Sequence, residues 1–417
     1  KLKTEIWAGI LGNCLELYDY ALYGFFASIL AKQFFPHSDP LAALLAMYGI
    51  YASGFVLRPF GAVLFGLIGD RYGRKHALQL SILMMAVPTL CIGFLPNYAL
   101  IGIAAPILLT AMRLFQGISV GGEIVGSYTY LIEHADDNEK GYVGSWSLVG
   151  CFGGKLLGNL AAWMMSLLLA PIPLERWGWR IPFVMGVFFA AAGYQLRKKV
   201  SETPVFINLQ SEKGVSKMPL KESWDSDFWS ILSAIGIMVI HTAGIHLLFV
   251  YFPIYLKTEI NLDYLFSLSS NFFALLVCMI FLPIGAKLSD QWGRRPVMLS
   301  MMVVLTVMIY PAFLLISTGQ EILIMLVHSL LSFVFAIMHG PLPAFLSEMF
   351  PPISRYTSSA IAYNLCVGIF GGLSPFIATY LVSMSGSLFA PAVWFTLCGM
   401  MSVATLTFQR KPEVAVT

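Results

Sequence analysis

Long apolar runs, separated by short clusters of glycine, proline and charged residues, recur along the whole chain. Twelve of them have the length a helix needs to cross a hydrocarbon core, about 20 residues for ~30 Å. They fall at 5–31, 43–69, 77–95, 99–132, 142–170, 179–197, 229–256, 264–288, 297–318, 321–349, 355–383 and 388–409. The runs are too long and continuous for the period-two pattern of barrel strands. In hydrocarbon each helix pairs its own backbone groups, so helices are the predicted elements. The fold class is an all-α polytopic membrane protein with twelve transmembrane helices.

Composition narrows the class further. Of 417 residues, 58% are hydrophobic and 11% charged, against roughly 25% charged in a soluble domain. The formal charge of +3 is no nucleic-acid signature, because its placement follows topology. With the N-terminus inside, 18 of the 25 Lys and Arg fall in cytoplasmic segments, 4 in external ones and 3 inside the membrane. This positive-inside bias predicts a multi-pass protein of the inner or plasma membrane, with both termini cytoplasmic and the lipid bilayer as its surroundings. The first helix follows Lys1 and Lys3 but is too long for a signal-peptide core; the missing initial Met suggests that native residues precede Lys1. The six cysteines all lie in apolar runs without metal-type spacing and read as packing residues. No HExxH motif occurs, and the one GxSxG, at 117–121, lies inside an apolar run and not at a strand-to-helix elbow, so neither a metal, a cofactor nor an enzymatic role is expected.

The chain repeats itself at half length. GLIGDRYGRK at 66–75 is echoed by GAKLSDQWGRRP at 285–296, and each copy joins two apolar runs. Helix ends at Glu133 and Glu348 match, as do the glycine pairs Gly153-Gly154 and Gly371-Gly372. Such repetition marks a duplicated transporter fold. It predicts pseudo-symmetric six-helix bundles at 1–197 and 229–417, with a cytoplasmic linker at 198–228 and a surface-lying stretch around Leu220 to Trp229. In the repeated loops glycines permit a tight turn, and Asp70 can cap the next helix. Asp70, Arg71 and Arg74, with Glu133, are candidates for conformation-dependent ion pairs, and so are Asp290, Arg294 and Glu348 in the second copy.

Buried charge is unevenly placed. Glu16, Asp19, Arg58, Arg113, Glu123 and Lys155 lie well inside spanning runs, all in the first half. An ionisable group at mid-membrane costs at least ~2.5–3.5 kcal/mol, so these six should pair around an interior cavity. At ~1.5 Å per residue, five of them sit near one depth, with Arg113 closer to the outer side. Glu16, Asp19, Tyr20 and Tyr23 share a helical face. Two carboxylates there are suited to proton coupling, which ranks Asp19 first, then Glu16 and Glu123. Lys155, set among Gly153, Gly154 and Gly158, suits a substrate carboxylate or neutralises Glu123; Arg113 and Arg58 are further carboxylate ligands. The second half offers His241 and His339 near mid-membrane and Asn364 as candidate substrate contacts, with Asn271 as a further polar residue for the cavity. Tyr18, Tyr20, Tyr23, Trp146 and Tyr363 are candidates for an aromatic cage around a quaternary ammonium group.

The segments GNCLELYDYALYGFFA (12–27), LRPFGAVLFGLIGDRYGRK (57–75), RLFQGISVGGEIVGSYTYLIE (113–133), WGWRIPF (177–183), SETPVF (201–206), DQWGRRP (290–296) and YNLCVGIFGG (363–372) resemble the major facilitator superfamily. Within it they resemble the metabolite:proton symporters, and the proline/betaine carriers most of all. The resemblance implies proton-coupled import of a small carboxylate-bearing or zwitterionic solute by alternating access. A di- or tricarboxylate or shikimate-like acid as substrate, or passive facilitation, are the alternatives. Leu17 departs from the aromatic residue common after the first-helix Glu, and the sequence ends at Thr417 without the long coiled coil of some osmosensory relatives, which argues against osmosensing. A monomer is expected, with a small molecule and protons as its partners.

Overall fold

In a computed structural model, residues 2–36, 39–64, 74–121, 123–133, 135–199, 219–350 and 355–409 are described. The chain makes twelve helical passes. In the first half these are α1 (Leu2–Phe25, continued by Ala27–Phe34), α2 (Pro40–Leu64), α3 (Arg74–Phe94), α4 (Ala104–Val120, continued by Glu123–Glu133), α5 (Lys140–Leu168) and α6 (Arg180–Lys199). In the second they are α7 (Pro219–His246, continued to Thr258), α8 (Tyr264–Trp292), α9 (Arg294–Ile316), α10 (Glu321–His339, continued by Leu342–Met349), α11 (Arg355–Cys366, continued to Ser385) and α12 (Ala390–Phe408). Nine helices among the described residues are long and apolar enough to cross a membrane. The expected surface-lying stretch at 220–229 is instead the first part of α7, which runs unbroken from Pro219.

Residue type accounts for how these helices sit. Large apolar side chains such as Phe60, Phe94, Leu100, Phe188, Ile322 and Phe408 are exposed on the outside. This is stable only where the surroundings are hydrocarbon. The interior is instead polar in places, with Asn13, Gln116, Asn159, Asn271, His241 and His339 all buried. Glycine sets the closest crossings. A Cβ on Gly117 would lie 2.0 Å from the Gly54 carbonyl oxygen, and one on Gly121 2.2 Å from that of Arg58, so α2 and α4 pack backbone to backbone.

The halves meet along two seams. One joins α5 to α8 and the other joins α2 to α11. In the first, Asn271 donates to Asn159 Oδ1 (2.9 Å) and to the Phe249 carbonyl (3.1 Å), while Asn159 donates to the Leu268 carbonyl (2.9 Å). In the second, Gly372 lies against the Phe55 ring, where a Cβ would sit 2.7 Å away.

Candidate functional site

Between the seams lies a narrow cavity lined from both halves: Tyr20, Phe55, Arg58, Phe152 and Lys155 from the first, His246, His339 and Tyr363 from the second. Lys155 is fourteen residues from Gly141 near the start of α5, so the cavity lies about 21 Å from that end. Both cations are almost wholly buried. The Arg58 guanidinium stands 4.5 Å from the Phe55 ring centre and 4.9 Å from that of Tyr20, and its Nη2 is 4.0 Å from Glu16 Oε1. Lys155 Nζ stands 4.8 Å over Phe152, with no ion pair to a described side chain.

Arg113 is not on the cavity lining, and its backbone lies against Gly54, four residues before Arg58 in α2. Its guanidinium lies 4.3 Å over the same Tyr20 ring that Arg58 uses, and 4.6 Å over Tyr23. Tyr20 and Tyr23 donate to the carbonyls of Gly54 and Met47, both at 3.3 Å. Their ring faces are therefore taken by internal cations.

Asp19 does not line the cavity. Its carboxylate points into the first bundle, where Thr89 donates to Oδ2 at 2.7 Å and a Cβ on Gly186 would lie 3.1 Å from Oδ1. Gln116 Nε2 donates to the same Thr89 hydroxyl (2.7 Å), and Arg113 Nη1 donates to Gln116 Oε1 (2.7 Å). A continuous hydrogen-bonded relay thus joins the carboxylate to the guanidinium: Asp19, Thr89, Gln116, Arg113. Thr89 also lies 2.9 Å from the Met85 carbonyl. One hydroxyl proton cannot serve both acceptors fully. Thr89 and Gln116 are neutral and ordinary in composition, and only their contacts single them out.

The five aromatics expected to form a cage are dispersed. Tyr18 donates to the Pro182 carbonyl (2.9 Å), Trp146 packs edge-on against Tyr142, Tyr20 and Tyr23 carry arginines, and Tyr363 alone of the group joins Tyr20 on the cavity wall. In the second half His241 and His339 face each other, Nδ1 to Nδ1, at 3.0 Å. Asn364 reaches across to the first half and donates to the Gly121 carbonyl at 2.7 Å, away from the cavity lining. Asp227, placed in the linker by sequence, is buried in α7 and accepts from Ser358 at 2.8 Å.

Ties between the halves stand at both ends of the cavity. At one end Asp290 accepts from the backbone N–H groups of Gly141 and Tyr142, each at 2.9 Å. A carboxylate from α8 thereby caps the first turn of α5 across the seam, where helix N–H groups lack partners. Arg294 pairs with Asp290 and reaches Glu348 at 3.2 Å. Gly293, at φ 91°, makes the turn that brings Arg294 back onto Asp290. Asp70 and Arg71 in the first copy lie outside the described residues, as do the side chains of Arg74, Glu123 and Glu133. At the opposite end Tyr264 of α8 donates to the Phe25 carbonyl of α1, and Tyr48 packs against Tyr251 with ring centres 6.1 Å apart.

Known proteins share this framework. The profile of the family described as "Sugar (and other) transporter" matches residues 6–227 and 207–414. The proline/betaine transporter of Salmonella typhimurium is 34% identical over 415 residues, covering 97% of this chain and 83% of that protein. The citrate-proton symporter of Klebsiella pneumoniae is 31% identical over 411 residues, 97% of this chain and 91% of the relative. Among solved structures, a D-xylose-proton symporter superposes with a TM-score of 0.75 at 21% identity, over 97% of this chain and 96% of that one.

Proposed function

The chain belongs to the sugar (and other) transporter family, within the major facilitator superfamily, and from that premise we propose that it is a proton-coupled symporter importing a small carboxylate-bearing solute such as proline or betaine. The observation that carries the substrate class is the pair of buried cations, Arg58 and Lys155, on the wall of a cavity shared by both halves. A carboxylate entering there meets two donors already stripped of water, where charge-assisted bonds are strongest. Relatives named for proline and betaine, and for citrate with protons, fall in the same chemical class.

Asp19 carries the proton in this reading. Ionised, it takes the Thr89 hydroxyl hydrogen. Protonated, it donates to the Thr89 oxygen, and the hydroxyl turns to the Met85 carbonyl. Both states keep the Thr89 hydrogen bonded, while Gln116, fixed by Arg113, holds the Thr89 oxygen in place for the switch. The coupling acid thus lies behind the cavity wall and acts through a relay. The end carrying Asp290 is the cytoplasmic one in this proposal, and the halves rock about the cavity as the ties at either end break in turn.

A second substrate reading, a di- or tricarboxylate, is favoured by one observation. On the cavity wall the Tyr20, Phe55 and Phe152 rings, which could hold a quaternary ammonium, already carry Arg58, Arg113 and Lys155. Uptake of labelled proline, betaine and citrate into proteoliposomes, with and without an imposed inward pH gradient, tests both. Uphill accumulation of one of them only under the gradient is expected. Equilibration to the outside concentration under every condition would make the protein a passive facilitator.

A further inference from the structure

The pair His241 and His339 is absorbed by neither the proton relay nor the two cavity cations. Their Nδ1 atoms stand 3.0 Å apart, with ring centres at 5.2 Å. Both residues are buried, and both Nε2 atoms lack a hydrogen-bond partner among the described residues. At that separation a single hydrogen lies between the rings, so one Nδ1 donates and the other accepts. The choice fixes the other edge of each ring. If His241 donates, His339 holds its own hydrogen on Nε2; if His339 donates, its Nε2 is a bare lone pair. His339 lines the cavity and packs on the same Phe152 ring as Lys155 Nζ, 6.0 Å centre to centre.

Resting on the symporter reading above, we propose that His339 is a carboxylate-binding residue of the second half and that His241 is the residue positioning its tautomer. The substrate carboxylate lies between Lys155 of α5 and His339 Nε2–H of α10, one donor from each half. His241 Nδ1–H donates to His339 Nδ1 and so keeps the hydrogen of His339 on the edge that meets the anion. An empty pair is free to hold either tautomer. A bound carboxylate selects the one with the donor, and so ties the moving halves together through the ligand. Carboxylate, not hydroxyl or ammonium, is the group this device recognises.

Amide substitutions separate the two nitrogens, because asparagine places its amide near the position of Nδ1 and glutamine near that of Nε2. The full-length protein in detergent is titrated calorimetrically with L-proline, glycine betaine and citrate, and with prolinamide and choline as partners lacking the carboxylate. For whichever carboxylate the wild type binds, His339→Gln and His241→Asn are expected to stay within about threefold of wild type. His339→Asn and His241→Leu should weaken it about ten- to a hundredfold, the worth of a hydrogen bond to a charged group. Prolinamide or choline, where bound, should be indifferent to all four changes, which also reports that each variant is folded. Equal losses in His339→Gln and His339→Asn, or unchanged affinity in all four, would overturn this inference while leaving the symporter reading intact. A wild type that binds none of the three carboxylates would overturn both.

Discussion

The charged residues of the first half differ in what their replacement should do. Lys155→Met removes one of the two cations on the cavity wall. It should weaken carboxylate binding about ten- to a hundredfold with little change in Tm, because Lys155 has no ion pair to a described side chain. Titration calorimetry beside a thermal melt checks both halves of that statement. Thr89→Val keeps shape but cuts the link between Asp19 and Gln116. Exchange of substrate across the membrane should survive while gradient-driven accumulation falls at least about tenfold, the worth of one lost hydrogen bond to a charged group. Asp19→Asn should give the same split. If Thr89→Val accumulated like wild type, the relay would have no part in coupling. Sequence singled out the ionisable residues because a charge in hydrocarbon is costly enough to need a reason. Thr89 and Gln116 carried no such signal: neutral polar side chains are common in helices, and only tertiary contact distinguishes them. His241 and His339 did stand out singly, but not as a pair, because they are 98 residues apart.

Helices and their crossings were the most legible level. Predicted spans such as 321–349 and 264–288 fall on helices Glu321–Met349 and Tyr264–Trp292, because a hydrocarbon slab dictates both length and composition. What sequence left open was which glycines do the packing. Gly153 meets only ordinary contacts, whereas its neighbour Gly154 would put a Cβ 2.1 Å from the Cys14 carbonyl oxygen. Gly117→Val is accordingly expected to disrupt the α2–α4 crossing, lowering stability by at least about 1–3 kcal/mol. Gly49→Ala, where a Cβ meets nothing within 4 Å, should be neutral. Melting temperatures of the two purified variants against wild type test the contrast. Equal behaviour would mean that the crossing can open without cost.

For the whole molecule the decisive relation is between the two ends, which are held by unlike means. Tyrosines at 264 and 48 hold one end through a carbonyl and a ring contact; Asp290 holds the other through main-chain N–H groups. Asp290→Asn keeps the size but loses the charge that favours a helix N-terminus, by about 0.3–1 kcal/mol or more. It should shift the population toward opening at that end, read as faster labelling of a cysteine introduced beside Tyr142. Unchanged labelling would show that the capping bond is not part of the gate. Sequence pointed to Asp290, Arg294 and Glu348 through the repeated loop. It did not identify Gly141 and Tyr142 as the partners of Asp290, because a backbone donor has no residue type of its own. That anonymity has an evolutionary side. One half stakes a single replaceable side chain on this contact, while the other offers its peptide skeleton at a glycine, where a Cβ on Gly141 would lie 2.8 Å from Asp290 Oδ1 and 2.9 Å from the Ala286 carbonyl oxygen. Drift at Tyr142 is therefore invisible to the latch unless it brings proline, which deletes an N–H yet is tolerated in a first helical turn, whereas at Gly141 any side chain crowds the latch. Tyr142→Pro, by a lost N–H, and Gly141→Ala, by crowding, become the two ways to pick the lock from that side without touching the key.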